Sequence, residues 1–433
     1  MNQNVTISGP GIIKGVYTPP GDKSISHRAL MFGAIAQGVS HATHFLEGDD
    51  CLNTMKAFQR LGIPIDWRQG TGEITVHGQG ISGLKKNSEL KEIFLGNSGT
   101  SMRILLGLLA GQNFEITLTG DESLSTRPMR RVTEPLKKMG AQIKGRDNGN
   151  YAPLWIRGGR LHGIDYENKL GSAQVKSALL FAGLYAEGET RIFEFSSSRD
   201  HTERLLAACG APYRREDQCL IVQKASSLHP LDLDIPGDIS SAAFFIVGAA
   251  ITPGSNLVVE KVGLNPTRLG LVNVLQRMGA KIEVVPSQAE PEPMGTIHIQ
   301  GSRLNGTRVT KTEVASLIDE LPILMIAMAL AEGESIISGA EELRVKETDR
   351  IHSMVVNLKA VGGEVEELPD GCWIQGVERF HPGRIQGFGD HRTAMSFAIA
   401  SLAIQGDVLL DDVECVSTSF PSFFDDFKAL RNG

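Results

Sequence analysis

One pattern recurs six times along the chain and limits its fold more than any other feature. A polar turn bearing Gly, Ser, Asn or Asp opens a run of small and apolar residues, which closes at a glycine and leads into a β-branched stretch. The copies occupy 23–38, 97–111, 172–188, 238–254, 319–333 and 390–406, and their closing glycines are 73, 77, 66, 79 and 73 residues apart. Such self-similarity marks a chain built from copies of one supersecondary unit. Each run reads as a helix apolar nearly all round, which must be buried under sheet. A second, more amphipathic helix is predicted at 51–62, 130–140, 202–210, 267–279, 349–362 and 421–430, usually broken by a glycine. A unit is therefore two helices and three or four short strands.

Six units in 433 residues exceed what one core usually holds, so a grouping of three and three is expected. Two matching turns, Pro20-Gly21-Asp22 and Pro236-Gly237-Asp238, bracket the first three units, because proline beside glycine punctuates rather than continues an element. This predicts a first lobe over 21–236 and a second formed by 1–20 with 237–433. Hinges are expected near 19–22 and 234–238, permitting closure over a ligand.

Composition removes several function classes. The net charge of −7 is the opposite of the basic footprint that nucleic-acid binding needs, so any anionic ligand must meet a local basic site. Cys51, Cys209, Cys219, Cys372 and Cys415 are scattered without CxxC or short Cys/His spacing, which argues against a disulfide framework or a zinc site. The apolar stretches 242–251 and 321–331 are too short to span a membrane, and 1–10 carries no signal-peptide pattern. A cytoplasmic protein without metal, nucleic-acid or membrane partner is expected.

The chemistry is expected where the buried helices begin. A helix N-terminus presents unpaired N–H groups and about half a positive charge, and several such ends together form an anion site. The opening turns read Lys23-Ser24-Ile25-Ser26-His27-Arg28, Asn97-Ser98-Gly99-Thr100-Ser101-Met102-Arg103, Ser172-Ala173-Gln174-Val175-Lys176, Asp319-Glu320 and Asp390-His391-Arg392. One Ser or Asn there is ordinarily just a cap, but the recurrence beside Arg or Lys points to function. Arg344-Val345-Lys346-Glu347-Thr348-Asp349-Arg350 packs five charges into seven residues. A charge run is usually a solvated face. This one joins cations for oxyanions with carboxylates that can carry protons, and it makes a candidate proton-transfer site. Gly78-Gln79-Gly80-Ile81-Ser82-Gly83 matches a dinucleotide fingerprint, but the polar stretch 84–91 cannot supply the helix that motif needs, so it reads as a turn.

Together, 20–29, Leu95-Gly96-Asn97-Ser98-Gly99-Thr100, Ser172-Ala173-Gln174-Val175-Lys176-Ser177, 344–350 and Asp390-His391-Arg392 resemble the 5-enolpyruvylshikimate-3-phosphate synthase family over the whole chain. The resemblance implies the enolpyruvyl transferase fold, a two-lobed inside-out α/β barrel of six βαβαββ units with three per domain. It also implies transfer of the enolpyruvyl group of phosphoenolpyruvate to the 5-hydroxyl of shikimate 3-phosphate, without a cofactor. Carried onto matching positions, Lys23, Ser24, Arg28, Ser172, Ala173, Gln174, Ser198, Arg199, Asp319 and Lys346 contact shikimate 3-phosphate. Lys23, Asn97, Gly99, Arg127, Gln174, Arg350 and Arg392 bind phosphoenolpyruvate. Asp319 is the expected base at the 5-hydroxyl and Glu347 the proton carrier at the methylene carbon, with Lys346, Lys23 and His391 participating.

Three places in the chain depart from the family's better-studied branch and resemble its second class. Thr418 stands in place of a lysine, Ala173 in place of a second serine, and Ser198-Arg199-Asp200-His201 in place of Ser-Lys-Pro-Tyr. Gly99 is unsubstituted, so the phosphoenolpyruvate mimic glyphosate is expected to compete, and a monomer is expected. The related transferase acting on UDP-N-acetylglucosamine usually carries a reactive cysteine where this chain has Leu124-Ser125-Thr126-Arg127-Pro128. A non-catalytic repeat scaffold would have six interchangeable helix openings, whereas these openings differ in charge and hydrogen-bonding groups.

Overall fold

The computed structural model describes residues 4–432 apart from 170 and 197. They form two compact units: the residues through Pro20 with those from Pro236 onward, and Gly21–Ile235. No helix among the described residues is long and apolar enough to cross a membrane.

The Gly21–Ile235 unit is built on the buried helices Lys23–Ile35, Gly99–Ala110 and Ala173–Gly183. Each leads into a strand that pairs antiparallel with a following hairpin and in parallel with one further strand, which in the second and third repeats is the strand before the helix. Around Gly99–Ala110, strand Glu92–Phe94 lies parallel to Glu115–Thr119, and the hairpin of Gln142–Gly145 and Tyr151–Arg157 completes the sheet. Around Ala173–Gly183 the same order runs through Asp165–Glu167, Thr190–Phe193, Cys219–Val222 and Tyr213–Glu216. The Lys23–Ile35 repeat draws its parallel strand, Asp232–Asp234, from the far end of the unit, which ties the unit's end to its start. Strand side chains alternate between faces, so Ile116 and Leu118 are buried against the helices while Glu115 is exposed.

The other unit repeats the plan on Ile239–Ile251, Leu321–Ala329 and His391–Ala400. Here the N-terminal segment supplies the missing strands. Lys14–Tyr17 lies parallel to Asn256–Gly263, and Val5–Gly9 pairs antiparallel with Gly406–Leu410 in a three-stranded sheet. The sixth copy thus has one borrowed strand where the others have a hairpin. Its last helix, Phe423–Asn432, packs Phe423 against Phe244 and Phe245 at ring separations of 5.8 and 5.5 Å. The amphipathic helices Asp49–Arg60, Arg130–Lys138, His201–Ala208, Gly270–Arg277 and Arg350–Ala360 lie where the periodicity places them.

Buried helices touch closely because of their small residues. A Cβ on Gly107 would lie 2.0 Å from the Ala178 carbonyl oxygen, so the Gly99–Ala110 and Ala173–Gly183 helices approach backbone to backbone. The closing glycines do not all act alike. Gly38, Gly188, Gly254, Gly333 and Gly406 take positive φ a few residues beyond the helix end, where the chain turns into the next strand, a conformation glycine adopts at little steric cost. Gly111 keeps a helical φ of −85°, and a Cβ there would lie 2.0 Å from the Tyr185 ring. Its glycine answers to packing rather than to the turn.

Candidate functional site

In the Gly21–Ile235 unit the three helix openings are joined through side chains. Asp22 caps the first helix, its carboxylate accepting from the Ile25 N–H at 2.9 Å, so Lys23 starts the helix with its Nζ 3.3 Å from Asp50. Arg28, one turn on, is buried. Its guanidinium donates to the Ser24 carbonyl at 2.8 Å, to Ser177 Oγ at 2.8 Å and to Thr202 Oγ1 at 2.7 Å, linking the first opening to the third. Between Lys23 and Arg28, His27 is fully buried against Thr54. Burial, with those two cations nearby, holds its pKa well below the usual histidine value.

The second opening is capped by Ser98, whose hydroxyl accepts from the Ser101 N–H at 3.1 Å. Asn97 is thereby left to other partners: its amide donates to Asp121 at 2.7 Å, and its side-chain oxygen accepts from Arg127. Gly99 lies under two guanidinium groups. A Cβ built there would meet Arg103 Nη1 at 3.0 Å and Arg127 Nη1 at 3.4 Å. Arg103 donates to Gln174 Oε1 at 2.7 Å, and Gln174 Nε2 donates to Thr100 at 2.9 Å, joining the second and third openings. Ser172 caps the third helix with a long 3.5 Å contact to the Val175 N–H, with Ala173 beginning the helix. Ser198 is buried, its hydroxyl donating to Glu194 at 2.6 Å, and half-buried Arg199 sits two residues before helix His201–Ala208.

The remaining candidates lie in the other unit around one guanidinium. Arg350 is buried at the first position of helix Arg350–Ala360, and three of its five N–H donors face carboxylates. Nε meets Asp390 at 2.8 Å, Nη2 meets Glu347 at 2.6 Å and Nη1 meets Asp319 at 3.4 Å. Burial opposes the charge on Arg350, but Asp390, Glu347 and Asp319 more than offset it, and its pKa is raised. Burial likewise opposes ionisation of Asp390, yet Arg350 and His391 together outweigh it and the carboxyl stays below its ordinary value. Lys346 reaches Asp319 at 3.6 Å. Although 28% of its side-chain surface is open, its ammonium lies deep enough among protein atoms that desolvation lowers its pKa.

Asp390 does two tasks, since its other carboxylate oxygen accepts from the N–H groups of Arg392 and Thr393 and caps helix His391–Ala400. Buried His391 starts that helix, and Arg392 folds back to donate to the Asp319 carbonyl at 2.8 Å. Among the described residues, helix Leu321–Ala329 is the buried helix without a side-chain cap, because Glu320 accepts from Ser240 instead and leaves Asp319 to the cations.

The charge run divides residue by residue. Arg344 turns outward to Asp349 and Glu367 at 2.6 and 2.8 Å, as a solvated face would. Lys346, Glu347 and Arg350 turn to Asp319 or to one another. Arg103 and Asp390, absent from the candidate set, are as central as the residues in it. Arg103's signal was its position four residues after Gly99, on the same helix face. Glu194 carries no such signal, since nothing local marks it as a partner of Ser198. Thr418 ends a short 3-10 turn with its hydroxyl donating to the Cys415 carbonyl at 2.7 Å, so that position supplies no cation.

Comparison with known proteins bears on this geometry. A sequence model of the EPSP synthase family (3-phosphoshikimate 1-carboxyvinyltransferase) matches residues 7–427. The chain is 48% identical over 431 residues to a 3-phosphoshikimate 1-carboxyvinyltransferase of Pelobacter propionicus, covering 99% of each. Its structure is similar to that of EPSP synthase from Acinetobacter baumannii, with a TM-score of 0.88, 45% identity, and coverage of 100% of this chain and 98% of the other. The enolpyruvyl transferase NikO from Streptomyces tendae shares the fold at a TM-score of 0.81 and 16% identity, over 99% and 98% of the two chains.

Proposed function

The chain belongs to the EPSP synthase family, and on that premise we propose how its residues divide the reaction. The enzyme transfers the enolpyruvyl group of phosphoenolpyruvate to the 5-hydroxyl of shikimate 3-phosphate and releases phosphate. Each substrate brings a carboxylate and a phosphate, about five to six negative charges for the pair, so binding requires clustered guanidinium groups and helix ends. The observation that carries the assignment is the convergence of Asp319, Glu347 and Asp390 on Arg350, with Lys346 beside Asp319.

In this reading Lys23, Ser24, Arg28, Ser172, Ala173, Gln174, Ser198 and Arg199 hold shikimate 3-phosphate. Lys23, Asn97, Gly99, Arg127, Gln174, Arg350 and Arg392 hold the donor; planar guanidinium suits bidentate binding of its oxyanions. Asp319 takes the proton of the 5-hydroxyl as that oxygen bonds to C2 of phosphoenolpyruvate, and Glu347, aided by Lys346, gives a proton to the methylene carbon. The tetrahedral adduct then loses a methyl proton and expels phosphate, a step in which Lys23 and His391 take part. Asp319 and Lys346 also contact the acceptor. Residues of both units take part in this proposal, the Gly21–Ile235 unit through Lys23 to Arg199 and the other through Asp319, Lys346, Glu347, Arg350, His391 and Arg392, so variants in either should impair the same reaction. The connections near 19–22 and 234–238 serve as hinges in this proposal; X-ray scattering tests this by a fall in radius of gyration on adding shikimate 3-phosphate.

The direct test is phosphate release from phosphoenolpyruvate with shikimate 3-phosphate or UDP-N-acetylglucosamine as acceptor. Turnover is expected with the first alone, and turnover with the second would overturn the assignment. Glyphosate should compete with phosphoenolpyruvate, and a dose series without competition would remove that part. The enzyme is read as a cytoplasmic monomer, which sedimentation and cell fractionation check.

A further inference from the structure

Lys176 carries its charge into the Gly21–Ile235 unit with no side-chain surface exposed. Its ammonium forms an ion pair with Glu203 at 2.6 Å and donates to Glu194 at 3.1 Å and to the Ser198 carbonyl at 3.4 Å. Glu194 continues the network. Its other oxygen accepts from Ser198 Oγ at 2.6 Å and from Asn168 Nδ2 at 3.4 Å. Asn168 clasps Ser172 on both sides, accepting from its N–H at 3.1 Å and donating to its carbonyl at 3.3 Å. One ammonium thereby ties the turn before helix Ala173–Gly183, the strand end at Glu194, the loop at Ser198 and helix His201–Ala208 into one fixed arrangement.

Stability alone does not explain such a cluster. Desolvating an ammonium and two carboxylates is costly, and well-packed apolar groups of similar size often serve as well or better. What the network does fix is the separation and orientation of Ser172 and Ser198. Because Ser198 donates its only hydroxyl proton to Glu194, its backbone N–H or a rotated hydroxyl must serve an incoming oxyanion.

We propose that Lys176, acting through Glu194, Glu203 and Asn168, positions Ser172 and Ser198 to receive the phosphate of the acceptor and thereby sets acceptor affinity without touching it. The inference rests on the assignment of Ser172 and Ser198 to that phosphate. These four are positioning residues, and their effect should fall on one substrate only.

The test is steady-state kinetics on the full-length enzyme, with binding of shikimate 3-phosphate and of shikimate measured alongside. A Lys176→Met/Glu194→Leu/Glu203→Met triple variant is expected to melt at or near the wild-type temperature, since apolar replacement of buried ion networks is often neutral. Its KM for shikimate 3-phosphate should rise about tenfold or more, with kcat and KM for phosphoenolpyruvate within about twofold, the pattern of a lost uniform binding contribution. Its preference for shikimate 3-phosphate over shikimate should fall in parallel. A folded triple variant with unchanged acceptor KM, or one in which both KM values rise together, overturns the proposal. If the triple variant does not fold, Glu194→Gln and Asn168→Ala decide, with the same selective rise expected and equal KM values overturning it. Ser172→Ala separates the two levels of inference. An unchanged acceptor KM there removes the phosphate assignment and the proposal with it, whereas a raised KM there with unchanged network variants removes the proposal alone.

Discussion

Arg350 and Asp390 form a buried pair 2.8 Å apart, and the carboxylate that neutralises the guanidinium also caps the helix carrying His391 and Arg392. One side chain thus fixes the clamp and the start of the neighbouring helix. Removing one partner of a buried ion pair costs about 3–5 kcal/mol, and asparagine removes the charge of Asp390 while keeping an oxygen that can cap the helix. Asp390→Asn should therefore lower the urea midpoint markedly, and an unchanged midpoint would show the pair to be dispensable.

The same pair sets an acid limit. The Asp390 carboxyl titrates below its ordinary value in the folded chain, so its stabilisation is complete above the unfolded value of about 3.9 and is lost as pH falls through the folded one. The stability difference between wild type and Asp390→Asn should be constant near neutrality and shrink below about pH 4. Urea titrations at several pH values would reveal this, and a difference independent of pH would contradict it.

Asp319→Ala and Glu347→Gln should each retain the fold yet slow turnover by roughly 10²–10⁴-fold, the range for a lost general acid or base. Glu347→Gln should also lose solvent-deuterium exchange into the methylene group of phosphoenolpyruvate. Near-normal turnover in the first variant, or intact exchange in the second, removes the corresponding role.

A methyl group on Gly99 would press on Arg103 and Arg127 at 3.0 and 3.4 Å. The neighbours are flexible side-chain ends, so folding should survive while the donor site is disturbed. Gly99→Ala should raise KM for phosphoenolpyruvate by about tenfold, equivalent to about 1.4 kcal/mol, and leave KM for shikimate 3-phosphate nearly unchanged. Kinetics with each substrate varied in turn would check the selectivity.

The closing glycines offer a purely structural test. Gly111→Ala forces a Cβ into the Tyr185 ring and should cost at least about 1–3 kcal/mol, as overpacking does. Gly188→Ala has open space but a φ of +82°, and should cost about 1–2 kcal/mol, the strain of a left-handed residue. Thermal melts of the two variants would rank them, and a Gly111→Ala melt equal to wild type would contradict the packing argument.

Much of this molecule was legible from periodicity. The apolar runs and the turn-forming residues before them are local signals, so the six buried helices could be placed to within a residue or two, the runs opening at Lys23, Asn97 and Asp319 and the helices at Lys23, Gly99 and Leu321. Lys23, Gly99, Ser172 and Arg350 stood out for the same reason, each within an opening turn or a short charged motif. The run 344–350 was legible as a cluster but not as a division, because whether Arg344 turns to Glu367 and Arg350 to Asp319 depends on strands and helices elsewhere.

The sequence by itself determined the repeat, the buried helices and the residues at their openings, because hydrophobic period and capping act over a few positions. Tertiary structure alone decided that Asp232–Asp234 closes the first sheet, that Asp390 serves Arg350 as well as its own helix, and that Glu194 binds Ser198 and Lys176 together. Strand pairing and burial of charge join groups distant along the chain, so these partnerships exist only once the surrounding core has excluded water.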